Sequence, residues 1–446
     1  MPTIPRTADR PLACIVMAGG KGTRMRSELP KVLHPIWGRP LLGWVLSAVR
    51  EAGAERVVVV VPPDAAEAVA AVVGDAETVI QPDQLGTGDA VRCALPALAG
   101  FSGDVLIVSG DTPLLTAELL GGLVAAHAAD GATATAATFR IDQPGSYGRV
   151  LRDATGIRIV EAKDATPAEL AIDECNAGLY VFDADALRPA LASITNDNAQ
   201  GEYYLPDVVP AISAAGGRAA ASLVEDASLL LGVNTRVELA EAAQIIRDRI
   251  VTAHLLAGAG IVDPATTYID ADVELAADCV VHPFTVLRGR TRLATGAEAG
   301  PHSVLTDAVL DRDAQAGPFA HLRAGTHLHA GARVGAFAET KNTELGARSK
   351  IPHLSYIGDA TVGEDTNIGA GNITANYDGL NKHRTTIGDR VRTGSDCVFV
   401  APVAIGDDAT TGAGSIITED VPAEALGIAR ARQVNKEHYA KRKRDV

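Results

Sequence analysis

Aromatic side chains are scarce in this chain of 446 residues, at 4%. No apolar run approaches the ~20 residues that a membrane-spanning helix requires. The densest runs, Val57–Val61 and Val105–Val108, are strand-length, so no membrane partner is expected. Five cysteines (Cys14, Cys93, Cys175, Cys279, Cys397) are scattered, odd in number and without a CxxC pair. That pattern argues against a disulfide frame or a zinc ribbon and predicts reduced, packed thiols. The N-terminus (MPTIPRTADRP) lacks the apolar core of a signal peptide, and the chain is read as cytoplasmic. Positive charge is also in deficit, with 40 Lys+Arg against 55 Asp+Glu for a net charge of −15. Nucleic acid is therefore not expected as a partner, because a phosphate backbone rewards a basic surface. What fills the gap is Ala, Val and 44 Gly in a chain that is 47% hydrophobic and 21% charged. Such a mix suits closely stacked elements, and the length suggests two or three domains.

Two periodicities divide the chain. Over residues 1–235, apolar strand-like runs alternate with helical stretches: LACIVM (12–17), PLLGWVLSAVREAG (40–53), RVVVVV (56–61), DAAEAVAAVV (64–73), DVLIVS (104–109), ELLGGLVAAHAADG (118–131) and ATATAATF (132–139). Uniformly apolar strands separated by helices predict a doubly wound α/β domain with a parallel sheet covered on both faces. Ligands of such sheets sit beyond the carboxyl ends of the strands. Residues 236–258 keep helical spacing, with Leu239, Ala243, Ile246 and Ile250 as one apolar stripe, and read as a connecting helix. Residues 259–446 are the last domain with its C-terminal tail, and from 273 onward the period becomes six. Leu275, Val281, Leu287, Leu293, Ala299 and Leu305 form one series, and Leu310, Ala316, Leu322, Leu328 and Val334 another. Ala314, Ala320, Thr326, Ala332 and Ala338 accompany the second, and Ile387, Thr393, Phe399, Ile405, Thr411 and Ile417 make a third. Six fits neither helix nor plain alternation and predicts a parallel β-helix of hexapeptide repeats. Three hexads make one coil, so 261–419 should give roughly eight to nine coils. The rhythm breaks at TANYDGLNKHRTTI (374–387), a loop placed to carry binding residues. The terminal KRKR (441–444) reads as a solvated tail.

The first strand runs into AGGKGTRMRSELPK (18–31), where Lys21, Arg24, Arg26 and Lys31 face a single acid, Glu28. The segment is no Walker A loop, and Gly20-x-Gly22-x-x-Met25 lacks the third glycine of a dinucleotide fingerprint. Glycines after a first strand still let the backbone approach an anion closely. MAGGKGTRM…LPK resembles the LAAGxGTRM…PK motif of sugar-nucleotide pyrophosphorylases. QLGTGDA (84–90), SGD (109–111), YGR (147–149), IVEAKDA (160–166), NAGLYVF (176–182), NAQGEYYLPD (198–207) and GVNTR (232–236) follow in that family's order. With the hexapeptide half, residues 12–439 resemble the bifunctional N-acetylglucosamine-1-phosphate uridylyltransferase / glucosamine-1-phosphate acetyltransferases, whose β-helix is left-handed.

The resemblance implies attack by a sugar-1-phosphate oxygen on the α-phosphorus of UTP, with release of pyrophosphate. Such transfers depend on positioning and charge neutralisation, hence on cations and a metal. It implies that Asp111 and Asn234 hold Mg²⁺, a hard ion suited to oxygen ligands, although Asp111 also fits a helix N-cap before TPLLTAELL. Arg24 and Lys31 would neutralise phosphates. Met17, Ala18, Gly19, Gly20, Ser109 and Gly110 would line the nucleotide, with Gln81, Gly86 and Thr87 at the uracil. Gly148, Glu161 and Asn176 match positions that hold the sugar and its N-acetyl group. Two departures from the family pattern stand out: Gly19 replaces the usual Ala, and Ser109 stands where an aromatic residue is common.

In the repeats, Arg323 and Lys341 are one coil apart in an unbroken register. They should stack about 4.8 Å apart, a repulsion that an anion such as a sugar phosphate relieves. The resemblance gives both to glucosamine-1-phosphate, and makes His353 the general base that takes the amine proton during attack on acetyl-CoA. Tyr356, Asn367, Asn376 and Tyr377 match amino-sugar positions, the last two bordering the cofactor. Ala370, Ser395, Ala413 and Arg430 match acetyl-CoA contacts. His321, His327 and His329 read as surface histidines, on the ground that adjacent hexads point to different faces. A homotrimer with sites between neighbouring prisms is implied, consistent with cyclic symmetry. The β-helix reads as shortened near 263–275. The product would feed peptidoglycan and lipopolysaccharide synthesis. Two other readings keep the fold: a nucleotidyltransferase whose β-helix only assembles or regulates, and a non-catalytic sugar-nucleotide scaffold. His353 with the NYDG loop opposes the first; Lys31, Asp111, Asn234 and His353 together oppose the second.

Overall fold

A computed structural model describes residues 10–20, 22–153 and 156–444; Lys21, part of the basic loop, lies outside the described residues. The chain forms two compact units, Met1–Ile246 and Arg247–Val446. The division falls within a 21-residue helix, Arg236–Leu256, where the sequence placed its connecting segment.

The first unit is built on a nine-stranded sheet. Its strands are β1 (Leu12–Met17), β2 (Arg56–Val61), β3 (Glu77–Ile80), β4 (Asp104–Ser109), β5 (Ala134–Arg140), β6 (Arg149–Asp153), β7 (Gly156–Val160), β8 (Glu174–Asp183) and β9 (Ala219–Leu223). The order is β9-β5-β8-β4-β1-β2-β3, with β6 and β7 attached beside β8. β1 is central and parallel to both β2 and β4. It is apolar on both faces because helices cover both: Cys14, Ile15 and Val16 are fully buried. The sheet is mixed, which corrects the expectation of a parallel one. β8 runs antiparallel to β4 and β5, and β6–β7 is an antiparallel pair. A uniformly buried strand reads alike in either direction, so apolar runs alone could not reveal the reversal. The helix expected over 64–73 is shorter, a 3₁₀ turn at Pro63–Ala65 leading into Ala66–Ala70.

The second unit is a parallel β-helix. One ladder joins Gly260–Ile261, Val280–Val281, Glu298–Ala299, Gln315–Ala316, Arg333–Ala336 and Lys350–His353, then continues through single bridges at Asn367, Arg392 and Thr410. Every residue of the six-residue series is buried, from Leu287, Leu305 and Leu322 at the axis to Phe399 near the last coils. The coil at 260–275 is complete, with strands at Gly260–Ile261, Tyr268–Ile269 and Glu274–Leu275. All five cysteines are free, and burial pushes the Cys279 thiol up to about 11.

Candidate active sites

Beyond the carboxyl ends of β1 and β4 lies a cavity of about 320 Å³. Met17, Ala18, Gly19, Gly20, Lys31, Gln81, Gly86, Thr87, Ser109 and Asp111 line it, as the sequence placed them. Gln84 and Glu202 line it too; both lie in segments the resemblance marked, QLGTGDA and NAQGEYYLPD, although neither residue was singled out. Gly86 stands at φ +108°, and a Cβ there would meet Tyr203 O at 2.7 Å, so only glycine fits. Gln81 donates its amide to Asp89 Oδ2 at 2.9 Å and to Gly86 O at 3.1 Å. Both donors are spent on the protein, which leaves Oε1 as an acceptor. A Cβ on Gly19 would come within 3.1 Å of that oxygen, a reason for glycine where alanine is usual.

The cluster at the strand ends is electrostatically tight. The Lys31 ammonium donates to Asp111 Oδ2, and to Asn234 Oδ1 at 3.0 Å. Ser109 Oγ donates to the other Asp111 oxygen at 2.6 Å. Asn234 is 123 residues further along the sequence than Asp111, and two bonds bring it there. Val233 N–H donates to Asp111 O at 2.8 Å, and Glu238 accepts from Asn234 N–H at 2.7 Å. Gly148, Glu161 and Asn176 also converge. Asn176 N–H donates to Gly148 O at 2.9 Å, and Glu161 Oε1 lies 3.4 Å from a Cβ position on Gly148. Burial raises the Glu161 carboxyl above the usual range, and Asp164, Asp207 and Glu202 add to that. Arg24 is exposed on a 3₁₀ turn, Thr23–Met25, and Gly110 packs against Ala18 behind the cavity.

On the β-helix, one corner organises the second set of residues. His353, Ala370, Ser395 and Ala413 occupy the same place on successive coils. Gly371 N–H donates to His353 O, Asp396 N–H to Ala370 O, and Gly414 N–H to Ser395 O. Leu354, Gly371, Asp396 and Gly414, which follow them, all have positive φ and turn the corner. Arg430 comes within 3.8 Å of a Cβ position on Gly414. The same corner continues through earlier coils as Phe284, His302, Phe319 and Phe337, also at positive φ. Their rings stack with centroids 4.7, 5.0 and 5.1 Å apart, yet Phe284 is 52% exposed and Phe337 62%.

Arg323 and Lys341 lie on adjacent coils, as their spacing predicts, since Arg323 N–H donates to Thr340 O. Arg323 also pairs with Glu339 at 2.9 Å. A third cation joins them: Lys382, from the loop that breaks the hexad rhythm. Lys382 holds the Lys341 ammonium below the usual lysine range, and Arg323 adds to the effect. The loop is braced by Asp378, which accepts from Asn381 N–H at 2.7 Å, Leu380 N–H at 2.8 Å and the His383 ring at 2.7 Å. Asp359 accepts from Asn376 at 2.5 Å and from Asn342 at 2.7 Å, which fixes Asn376 beside Tyr356. Tyr377 is exposed on the loop, and Asn367 bridges Lys350 and Arg392.

A MobA-like NTP transferase domain matches residues 14–202, and a hexapeptide repeat of succinyl-transferase matches 384–419. The bifunctional protein GlmU of Kineococcus radiotolerans is 51% identical over 97% of this chain and 93% of its own length. That of Streptomyces avermitilis is 48% identical over 98% and 96%, and that of Mycobacterium tuberculosis 46% over 97% and 92%. The chain belongs to the GlmU family. Against that family's motifs, Lys382, Asn342 and Asp359 were missed because no motif spacing marked them. An extra cation in the one irregular loop, where a neighbouring coil already stacked two, was the available signal.

Proposed function

We infer that this GlmU-family chain performs two consecutive transfers that build UDP-N-acetylglucosamine. The first moves acetyl from acetyl-CoA to glucosamine-1-phosphate; the second moves uridylyl from UTP to N-acetylglucosamine-1-phosphate. The observation that carries the reading is that each unit presents its own anion-binding cluster beside the groups its reaction needs. In the first unit, oxygens of Asp111 and Asn234 converge on a single cation, the Lys31 ammonium. That all-oxygen donor pair fits Mg²⁺. When bound, Mg²⁺ supplies charge neutralisation for the triphosphate. Lys31 and Arg24 neutralise phosphate oxygens, and the glycine-rich backbone lets the nucleotide approach. Gln81 Oε1 accepts the uracil N3–H, while Gly148, Glu161 and Asn176 orient the sugar. Its phosphate oxygen then attacks the α-phosphorus in line, and pyrophosphate leaves.

In the second unit Arg323, Lys341 and Lys382 hold the sugar phosphate, whose charge offsets their repulsion. Tyr356, Asn367 and Asn376 position the amine. The nitrogen bonds to the thioester carbonyl carbon while His353 takes its proton; the C–S bond breaks, and the proton passes to the departing thiolate. Ala370, Ser395, Ala413 and Arg430 carry the acetyl-CoA arm along the corner, with Asn376 and Tyr377 at its reactive end. An exposed aromatic ladder continuous with this corner supports a homotrimer whose neighbouring chain completes the site. No helix among the described residues is long and apolar enough to cross a membrane; the soluble substrates of both transfers support a cytoplasmic setting. Incubation with acetyl-CoA and glucosamine-1-phosphate, without UTP, tests the reading. Sugar-dependent thiol release that disappears in His353→Ala is expected. Absence of release, with pyrophosphorolysis of UDP-N-acetylglucosamine intact, would leave the β-helix an assembly or regulatory unit.

A further inference from the structure

His327 and His329 do not face apart, which corrects the sequence reading. They lie in one hexad two residues apart, on either side of the inward Leu328, and so share a face. Only His321, one hexad earlier, stands elsewhere, beside Glu339. Register places Asp311 one coil before His329 and Glu344 one coil after His327: Asp311 N–H donates to Leu328 O, and His327 pairs with Glu344. Three consecutive coils thus present Asp311, His327, His329 and Glu344 on one face. This patch includes no residue of either proposed active site.

Its geometry is that of a ligand set. Asp311 Oδ2 is 3.1 Å from His327 Nε2 and 3.3 Å from His329 Nδ1. Tetrahedral Zn²⁺ with nitrogen and oxygen ligands at about 2.0–2.2 Å sets its ligands about 3.3–3.5 Å apart. Both distances from the carboxylate oxygen are close to that spacing, and the three residues' ligand atoms lie within 4.8 Å of one another. His327 Nε2 is sealed from solvent and makes no hydrogen bond despite the nearby carboxylate, so the contact is misaligned as a hydrogen bond. The other ring nitrogens face Glu344: its Oε2 lies 3.4 Å from His327 Nδ1 and accepts from His329 Nε2 at 2.9 Å. One nitrogen of each ring towards a shared carboxylate, and the other held by a second carboxylate, is how metal-binding histidines are oriented. The mixed imidazole and carboxylate set favours a Zn²⁺-class ion over Mg²⁺ or Ca²⁺.

We propose that Asp311, His327 and His329 bind a Zn²⁺-class divalent ion, with Glu344 orienting both imidazoles, and that the ion clips three coils of the β-helix together. The full chain, stripped by chelator and supplied with excess Mg²⁺ to fill oxygen-ligand sites, is titrated with Co²⁺ as the spectroscopic probe. One Co²⁺ per chain with the strong visible band of a four-coordinate ion is expected, displaced by equimolar Zn²⁺. The band should vanish in His327→Gln/His329→Gln, and Glu344→Gln should weaken binding about 10–100-fold. Zn²⁺ should raise the melting temperature of the β-helix in the parent chain and not in the double variant. Uridylyl and acetyl transfer in the double variant serve as the folding control. Absence of a four-coordinate band in the parent chain, or a band unchanged in the double variant, overturns the proposal and leaves the cluster a set of histidine–carboxylate ion pairs.

Discussion

The nucleotide cavity and the β-helix surface around Lys341 both collect positive charge for a phosphorylated substrate, and they treat that charge in opposite ways. In the cavity, Lys31 is already paired with the Asp111 carboxylate and hydrogen-bonded to Asn234, and the walls come from one folded unit. On the β-helix, Lys341 faces Lys382 with its proton affinity depressed, and the aromatic ladder at the neighbouring corner is open to solvent. A doubly wound sheet has a concave edge where loops from several strands meet, so one chain can enclose a ligand. A prism has flat sides and convex corners, so a pocket on it requires a second surface. The contrast shows how far each architecture can finish a site alone.

Breaking the two chemistries separately gives the largest expected effects. Asp111→Asn should lower uridylyl transfer on the order of 10³-fold and leave acetyl transfer intact. His353→Ala should do the converse, by about 10²–10⁴-fold. Parallel loss of both activities in either variant, followed by separate assays, would mean that the units do not work independently. Phe319→Glu with Phe337→Glu tests whether the corner needs a partner surface. Burying unpaired charge should weaken assembly by about 30-fold or more. Sedimentation should show smaller species that keep uridylyl transfer and lose acetyl transfer. Acetyl transfer that persists in a monomer would refute the shared site. Lys382→Ala should raise the KM for glucosamine-1-phosphate about tenfold, through loss of one charged phosphate contact, with kcat little changed. The smallest effect concerns Glu161. Its carboxyl is raised in the fold, so the folded state binds the proton more tightly and ionisation costs stability as pH rises. Glu161→Gln should therefore raise the melting temperature at pH 8 but not at pH 4, while weakening sugar binding. Equal shifts at both values would remove the electrostatic explanation.

Much of this was legible in the residues. The period of six located the β-helix, and its buried series contains no misplaced member, because a narrow three-sided interior admits one kind of residue at each step. β1, β2 and β4 were read to the residue, since strands buried on both faces have sharp ends. What escaped was relational. The antiparallel β8 leaves no trace in composition, and the bond from Val233 to Asp111 that brings Asn234 to the cavity spans 122 residues. The pairing of His327 with His329 was misread because hexads were counted while alternation within one was not. The exposed aromatic ladder was hidden for a different reason. Its members are 17 or 18 residues apart and sit at positive-φ corners, where large side chains are uncommon.

Because His353, Ala370, Ser395 and Ala413 succeed one another coil by coil, the solenoid also acts as a gauge of length. Three steps of about 4.8 Å set roughly 14 Å between His353, the proposed base, and the farthest of the proposed acetyl-CoA contacts. That distance is fixed by counting coils and by nothing else in the sequence. A whole coil inserted between His353 and Ala370 would preserve every local contact that stabilises a repeat. It would nevertheless hold the thioester one notch away from the base, in a protein that remained folded and still bound its cofactor.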